Sequence, residues 1–218
     1  RVSVSSKAAL VQPSKIHVRC GESYTVRDLV RALLISSAND AAICLAEGVS
    51  GSEWQFARLM NVKARALGCR RSNFTNASGL PDANQYTTAT DMYRILKAAY
   101  KYPFIRECLS SRYATIHRPS GKEIRLRNHN RLLFGYPIKV HGKTGFTRAA
   151  RHCFVAVGQL GNRKIYMVLL KSNGKWDDIR KLINYGVSFM PNAQRTSSKI
   201  ATNRKILPRA KVIKLQRA

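Results

Sequence analysis

The chain has 218 residues, of which 44% are apolar, so it is long enough to bury a substantial core as one large or two small domains. Its 39 Lys and Arg against 11 Asp and Glu give a net charge of +28, which favours anionic partners without specifying a fold. No apolar run approaches the roughly 18 residues of a membrane span, and the five scattered cysteines lack the spacing of a zinc site or a complete disulfide set.

The first predicted elements are a strand and a helix. Residues 15–24 alternate apolar and polar side chains, which is typical of a short strand followed by a turn. Thr25 with Asp28 resembles a capping pair, and the apolar residues that follow recur at helical spacing. We therefore predict a helix that begins after Thr25 and ends in the sequence SSAND.

Three further helices are predicted in the next part of the chain. The first begins at about Ala41. The second follows a capping box that opens with Ser52, and it runs to Leu67. The third begins after Thr88 and ends before Pro103, because proline seldom continues a helix.

After this third helix the pattern changes from helix to strand. Two antiparallel hairpins are predicted, one from RYATIHR and KEIRLRN around a PSGK turn, the other from HCFVAVGQL and RKIYMVLLK around Gly-Asn. A closing amphipathic helix is predicted from KWDDIRKLINYGVSF. Helices followed by antiparallel strands indicate an α+β fold with helices packed on a sheet.

The chain is predicted to form one domain, residues 1–190, followed by a tail. Residues 191–218 contain eight Lys or Arg and no acid, with no clear apolar period. We therefore predict that this tail is basic and flexible. Within the domain, Cys44 and Cys153 lie in apolar surroundings and are expected to be buried thiols.

One candidate functional motif lies in SSAND, at the junction of two predicted helices. Ser37 and Asn39 form a Ser-x-Asn turn with two polar side chains. Ser, Asn and Asp are also common helix caps, so Asn39 or Asp40 could simply cap the helix that begins near Ala41.

A second candidate motif, Lys143-Thr144-Gly145, lies in the predicted strand KVHGKTGFT. Glycine weakens a strand, and within a strand it often marks the close approach of a ligand or another backbone. Lys143 would supply a charge and Thr144 a hydroxyl. Taken by itself, the motif also fits a solvated edge strand.

The order of the two motifs is more informative than either motif. A Ser-x-Asn turn followed about a hundred residues later by Lys-Thr-Gly on a strand corresponds to the second and third parts of a serine acyl-transfer site. Four surrounding segments, residues 13–68, 74–92, 126–133 and 142–158, closely resemble the low-molecular-mass penicillin-binding proteins. These are the serine D-alanyl-D-alanine carboxypeptidases of peptidase family S11, and the resemblance covers roughly residues 2–190.

The resemblance implies a β-lactamase/DD-peptidase-like fold, with a five-stranded antiparallel sheet flanked by helices, and no metal or cofactor. It implies that Ser37 is catalytic and helps to move a proton to or from the leaving amine. Asn39 would bind the amide carbonyl of the substrate. Lys143 and Thr144 would bind its terminal carboxylate, and Gly145 would leave room for the substrate as an added strand.

The nucleophile of the family, the serine of Ser-x-x-Lys, is not matched at its usual position. The spacing occurs once, from Ser172 to Lys175, after the last long strand, and we interpret this match as chance. In the family the motif precedes the segment that begins this chain. We therefore expect an N-terminal truncation of a few dozen residues, with a natural pseudoenzyme as the alternative.

Several charged residues near Lys-Thr-Gly differ from the family pattern. Arg148, Arg151 and His152 stand where many relatives have small residues, and they either enlarge the anion-binding field or face solvent. His141 is expected to be a surface residue rather than a catalytic base.

The resemblance implies a serine D-Ala-D-Ala carboxypeptidase that acts on peptidoglycan stem peptides through an acyl-enzyme, in the extracytoplasmic or periplasmic part of the bacterial cell envelope. β-Lactams would bind if the nucleophile is present, and this chain by itself is expected to be inactive. The alternative is an inactive family member that binds wall peptides or another anionic partner. The basic tail is compatible with an anionic wall polymer or membrane surface, and no specific nucleic-acid motif is present.

Overall fold

A computed structural model describes residues 1–189, so the tail predicted for residues 191–218 lies outside the described residues and the domain boundary stays a prediction. The described residues form the helices and antiparallel strands of an α+β fold. The elements in chain order are β1 (Val2–Ser3), α1 (Ser6–Leu10), β2 (Ser23–Tyr24), α2 (Val26–Ser36), α3 (Asn39–Ser50), α4 (Glu53–Ala66), α5 (Ala89–Ala99), α6 (Pro103–Ser110), β3 (Tyr113–His117), β4 (Glu123–Arg127), a 3₁₀ turn (Arg131–Phe134), β5 (Lys139–Thr147), β6 (Arg151–Leu160), β7 (Arg163–Ser172) and α7 (Lys175–Ser188).

Side-chain caps begin three of the helices where the sequence predicts them. Thr25, Ser52 and Thr88 each accept a hydrogen bond from the backbone N–H three residues further on, which satisfies a donor that the helix itself leaves unpaired. The sequence did not predict α6. Its first residue is Pro103, which is a favourable first helical position because proline has no N–H to pair.

The start of α3 differs from the prediction. The helix begins at Asn39 rather than near Ala41, and its N-cap residue, Ala38, makes no side-chain cap hydrogen bond. Asp40 is fully buried in the first turn. Its carboxylate accepts hydrogen bonds from the backbone N–H groups of Ile16, at 3.0 and 3.2 Å, and of Val18, at 3.2 Å.

These bonds also explain why residues 15–24 do not form the predicted strand. The N–H groups of Ile16 and Val18 point to Asp40 and not to a neighbouring strand, and β2 is limited to Ser23–Tyr24. The negative charge of Asp40 lies at the N-terminus of α3, where the helix dipole stabilises an anion. One carboxylate thus ties the chain before β2 to the junction between α2 and α3.

The strands of residues 1–189 form three separate antiparallel sheets, with the orders β1-β2, β3-β4 and β5-β6-β7. Both predicted hairpins are confirmed, as β3-β4 and β6-β7. The resemblance implies a five-stranded sheet, and this prediction is wrong for the described residues. Here the central sheet has three strands, because β1 and β2, like β3 and β4, pair with each other and not with β5 or β7.

Three hydrophobic clusters hold these layers together, the smallest of which contains Leu96, Tyr100, Leu109 and Val157. Of the two larger clusters, the first lies beneath α2 and α3 and contains Tyr24, Leu29 and Ile35, and the second lies between the central sheet and α7. Cys44 is fully buried in the first cluster, as expected. Cys153 is only partly buried, contrary to expectation, because its partner across the strands is Gly145, which has no side chain to cover it.

Replacing Asp40 should destabilise the fold strongly, because Asp40→Ala leaves the N–H groups of Ile16 and Val18 without their acceptor in a buried position. We expect the free energy of unfolding in urea to fall by about 3 kcal/mol. The matched control is Asp82→Ala in an exposed loop, which should cost less than about 1 kcal/mol. A loss for Asp40→Ala no larger than that of the control would contradict this account.

Candidate active site

The α2–α3 junction fixes the first of the two motifs. Ser37 ends α2 in the left-handed conformation, with φ 58° and ψ 37°, which is uncommon for a residue other than glycine. The backbone N–H of Asn39 donates to the carbonyl of Ser14 at 2.7 Å, and its Nδ2 donates to the carbonyl of Gln12 at 3.0 Å. The junction is therefore held from both sides, by α2 and by the segment that Asp40 also anchors.

The two motifs meet through Lys143. Its Nζ donates to Ser37 Oγ at 2.5 Å and to the backbone carbonyl of Thr144 at 2.7 Å. Within residues 1–189, Lys143 forms no ion pair with an acid. Burial, and secondarily the charge of Lys175, lower the pKa of Lys143 to about 8. The ammonium is thus still the major form at neutral pH but can release its proton at modest cost.

All five predicted site residues line one cleft of about 1170 Å³, namely Ser37, Asn39, Lys143, Thr144 and Gly145. The cleft runs along β5, which pairs with β6 on one side. The other edge of β5 pairs with no strand among the described residues, which leaves room for an added strand, although the carbonyls of Val140 and Thr144 accept hydrogen bonds from Asn130 and Lys143. The structure therefore brings the Ser-x-Asn turn and the Lys-Thr-Gly strand together, although they are more than a hundred residues apart in sequence.

The two glycines near Lys143 serve different purposes. A Cβ on Gly142 would lie 2.5 Å from the carbonyl oxygen of Val155, so this glycine is required by the packing of β5 against β6. A Cβ on Gly145 would meet only Cys153 Cβ, at an ordinary 3.7 Å. The packing of the sheet therefore does not require a glycine at position 145. The absence of a side chain there leaves open space on the exposed side of the strand.

Several cleft residues were not identified from the sequence, and the polar or charged ones include Asn128, His129, Arg131 and Lys175. Burial, followed by the charges of Lys143 and Lys175, lowers the pKa of His129. Asn128, His129 and Arg131 belong to a segment that supported the resemblance, so that match was the available signal. Nothing in the sequence placed Lys175 near the motifs.

The Ser-x-x-Lys match in SNGK does not place a serine in the cleft. The Ser172 hydroxyl donates to Asp178 Oδ2 at 2.7 Å and accepts the N–H of Gly174 at 3.1 Å, so it stabilises the start of α7. Ser172 is buried and does not line the cleft, whereas Lys175 does. This geometry agrees with the interpretation of the match as chance.

The histidines and arginines around β5 have different environments. His141 is half-buried, and its Nδ1 forms a hydrogen bond of 2.8 Å with the Tyr100 hydroxyl, so the expectation of a surface residue was wrong. Arg148 and Arg151 are exposed and do not line the cleft. His152 does line it and packs against the ring of Phe146 at a centroid distance of 4.6 Å.

Comparisons with known proteins agree with this geometry. The family model described as Peptidase S11, D-alanyl-D-alanine carboxypeptidase, matches residues 1–174. The D-alanyl-D-alanine carboxypeptidase DacF of Bacillus subtilis is 34% identical over 169 residues, covering 78% of this chain and 43% of DacF. DacB2 of Mycobacterium tuberculosis is 34% identical over 186 residues, covering 82% of this chain and 63% of DacB2.

Comparison with solved structures also finds D-alanyl-D-alanine carboxypeptidases and related DD-transpeptidases. The crystal structure of a D-alanyl-D-alanine carboxypeptidase from Mycobacterium tuberculosis has a TM-score of 0.79 at 31% identity, covering 88% of this chain and 75% of that one. A serine-to-alanine mutant of the Streptomyces K15 DD-transpeptidase has a TM-score of 0.80 at 25% identity, covering 86% of this chain and 79% of that one. The chain spans about half the length of the curated relatives above, 43% of DacF and 63% of DacB2.

The low pKa of Lys143 predicts a pH dependence of stability. The unfolded chain restores the ordinary lysine pKa of 10.5, so between about pH 8 and pH 10.5 the unfolded state binds more protons than the folded state. We therefore compare the free energies of unfolding of wild type and Lys143→Met in urea. The wild-type value minus the variant value should rise by about 1 to 2 kcal/mol from pH 8 to pH 10. Exposed Lys101→Met is the control, and a flat or falling difference for Lys143→Met would refute the assignment.

Proposed function

The chain belongs to the Peptidase S11 family of D-alanyl-D-alanine carboxypeptidases, and we propose that it forms the substrate-binding part of a serine D-Ala-D-Ala carboxypeptidase. The substrate would be the stem peptide of peptidoglycan, which ends in D-Ala-D-Ala and a carboxylate. The reaction would pass through an acyl-enzyme. The observation that carries the proposal is the hydrogen bond from Lys143 Nζ to Ser37 Oγ at the open edge of β5.

This hydrogen bond supports a proton relay. Because the oxygen of Ser37 accepts from Lys143, its own O–H is available to donate towards a substrate atom. Ser37 could pass that proton to the leaving amine of the terminal D-Ala and recover one from Lys143. A pKa of about 8 suits the role, since general acids are most effective when their pKa lies near the working pH.

The remaining site residues would hold the peptide. An extended substrate would pair with the unpaired edge of β5 as an added strand, and the open space at Gly145 would admit it. Its terminal carboxylate would lie near Lys143 and Thr144. The Thr144 hydroxyl makes no hydrogen bond among the described residues, since Lys143 donates to the backbone carbonyl of Thr144 and not to its side chain. The Asn39 side chain already donates to Gln12, so its carboxamide is oriented before the substrate arrives.

The chemistry also requires a nucleophilic serine, activated by a lysine three residues later. Residues 1–218 contain that spacing only in SNGK, whose serine is buried outside the cleft. We therefore expect this chain by itself to bind substrate peptides without turning them over. A form that also carries the family's Ser-x-x-Lys segment would hydrolyse them and would be acylated by β-lactams.

The location that we propose follows from the proposed substrate, and the further partners follow from the charge of the chain. Stem peptides are extracytoplasmic, so the protein would act in the bacterial cell envelope, on its outer or periplasmic side. No helix within residues 1–189 is both long and apolar enough to cross a bilayer. The net charge of +28 suits an anionic wall polymer or membrane surface, and residues 191–218 would provide part of that contact.

The role of Lys143 can be tested with two peptides, N-acetyl-L-Lys-D-Ala-D-Ala and its C-terminal carboxamide. Wild-type residues 1–218 should bind the acid at least about tenfold more tightly at pH 7 in isothermal titration calorimetry, because only the acid presents a carboxylate. Lys143→Met should lose most of this preference, whereas Lys101→Met should keep it. Equal affinity of the wild type for both peptides would contradict the proposed carboxylate site.

A further inference from the structure

The cleft carries more positive charge than one terminal carboxylate requires. Arg127, Arg131, Lys143 and Lys175 all line it, and the one carboxylate among its lining residues is that of Asp177. Asp177 does not neutralise any of the four, because its Oδ1 accepts a hydrogen bond from Arg180 at 2.9 Å. Lys143 is engaged with Ser37 and Thr144, and the guanidinium of Arg127 lies over the ring of Phe134, 5.4 Å from its centroid. Arg131 and Lys175 remain as a separate pair of cations.

Lys175 occupies an unfavourable position for a cation. It is the first residue of α7, where the positive end of the helix dipole repels an ammonium group. Burial and then the charge of Arg131 lower its pKa, so the two cations lie close enough to repel each other. Its one described contact is with the ring of Trp176, at 4.6 Å from the ring centroid.

Arg131 is equally unpaired among the described residues. It begins the 3₁₀ turn after Asn130 and is exposed. Its guanidinium makes no hydrogen bond or ion pair within residues 1–189, so its fork of five N–H donors is available to a ligand. Guanidinium donors match the two oxygens of a carboxylate particularly well.

A second, smaller cavity of about 290 Å³ continues the cleft at this point. The two cavities share Arg131, Phe134 and Trp176 in their linings. The smaller one adds Tyr136 and Arg180, so its walls are aromatic and its charged groups are cationic. A peptide that extends from the main cleft towards the smaller cavity would therefore meet Arg131 together with the aromatic side chains of Phe134, Tyr136 and Trp176.

We propose that Arg131 and Lys175 form a second anion subsite, which binds an additional carboxylate of the substrate upstream of its terminal D-Ala-D-Ala. This inference rests on the proposed function, because it assumes a peptide in the cleft. The preferred substrate is then a peptide with a free acidic group in the stem, and its carboxamide is disfavoured. The subsite is separate from Lys143 and Thr144, which hold the terminal carboxylate.

The test compares two peptides that differ at one group. One is N-acetyl-γ-D-glutamyl-L-lysyl-D-alanyl-D-alanine, and the other has the free α-carboxylate of its glutamyl residue converted to the carboxamide. Isothermal titration calorimetry with residues 1–218 should show about fivefold tighter binding of the acid by wild type. The acid-to-amide ratio should fall towards one in Arg131→Ala and in Lys175→Ala, and Arg131→Lys should keep part of it.

Arg70→Ala is the matched control, since Arg70 is exposed and lines neither cavity, and it should keep the wild-type ratio. Circular dichroism melting curves establish that each variant is folded. Equal affinity of wild type for both peptides would overturn the second subsite while the proposed function stands. A preference that survives in both alanine variants would overturn the assignment to Arg131 and Lys175. Failure of wild type to bind either peptide would overturn the proposed function as well.

Discussion

The site depends on a single buried carboxylate that belongs to neither motif. Asp40 holds the backbone of Ile16 and Val18 against the start of α3, and a buried charge of this kind is tolerated only when it is well hydrogen-bonded. The segment it anchors also supplies the carbonyls that bind Asn39. Ser37 is fixed between this anchored segment and α2, in a left-handed conformation that it would otherwise seldom adopt.

The cationic side chains that line the cleft form no ion pair with an acid among the described residues, and this determines the electrostatics of the cleft. Lys143 reaches across from β5 to Ser37 without an acidic partner among the described residues, and burial, followed by the charge of Lys175, lowers its pKa. Burial also lowers the pKa of Lys175, followed by the charge of Arg131, and it lowers the pKa of His129, followed by the charges of Lys143 and Lys175. Such an arrangement opposes folding slightly, and an anionic ligand offsets that cost when it binds. The positive charge of the cleft therefore favours the binding of an anion.

The local parts of this structure could be predicted from sequence. Caps and apolar spacing gave the helices after Thr25, Ser52 and Thr88, and alternation gave the hairpins of the second half. These features depend on residues only a few positions apart. The order of the two motifs, together with the family resemblance, also led to the five residues that now line one cleft.

The errors arose where distant contacts override local pattern. Residues 15–24 alternate like a strand, but Asp40 takes two of the N–H groups that a strand would use. His141 was expected at the surface, but Tyr100 at the end of α5 covers it. Arg131 and Lys175 were not identified as site residues, since the packing of α7 and of the 3₁₀ turn beside β5 brings them to the cleft.

The most direct test of the central claim is an intact-mass spectrum of the protein from its natural source, before and after incubation with a penicillin. The account predicts a parent mass well above 24.5 kDa, since the Ser-x-x-Lys segment would accompany residues 1–218, and one covalently bound drug molecule per chain. A parent mass that matches residues 1–218, with no adduct, would contradict the carboxypeptidase mechanism and leave a peptide-binding protein of the same fold.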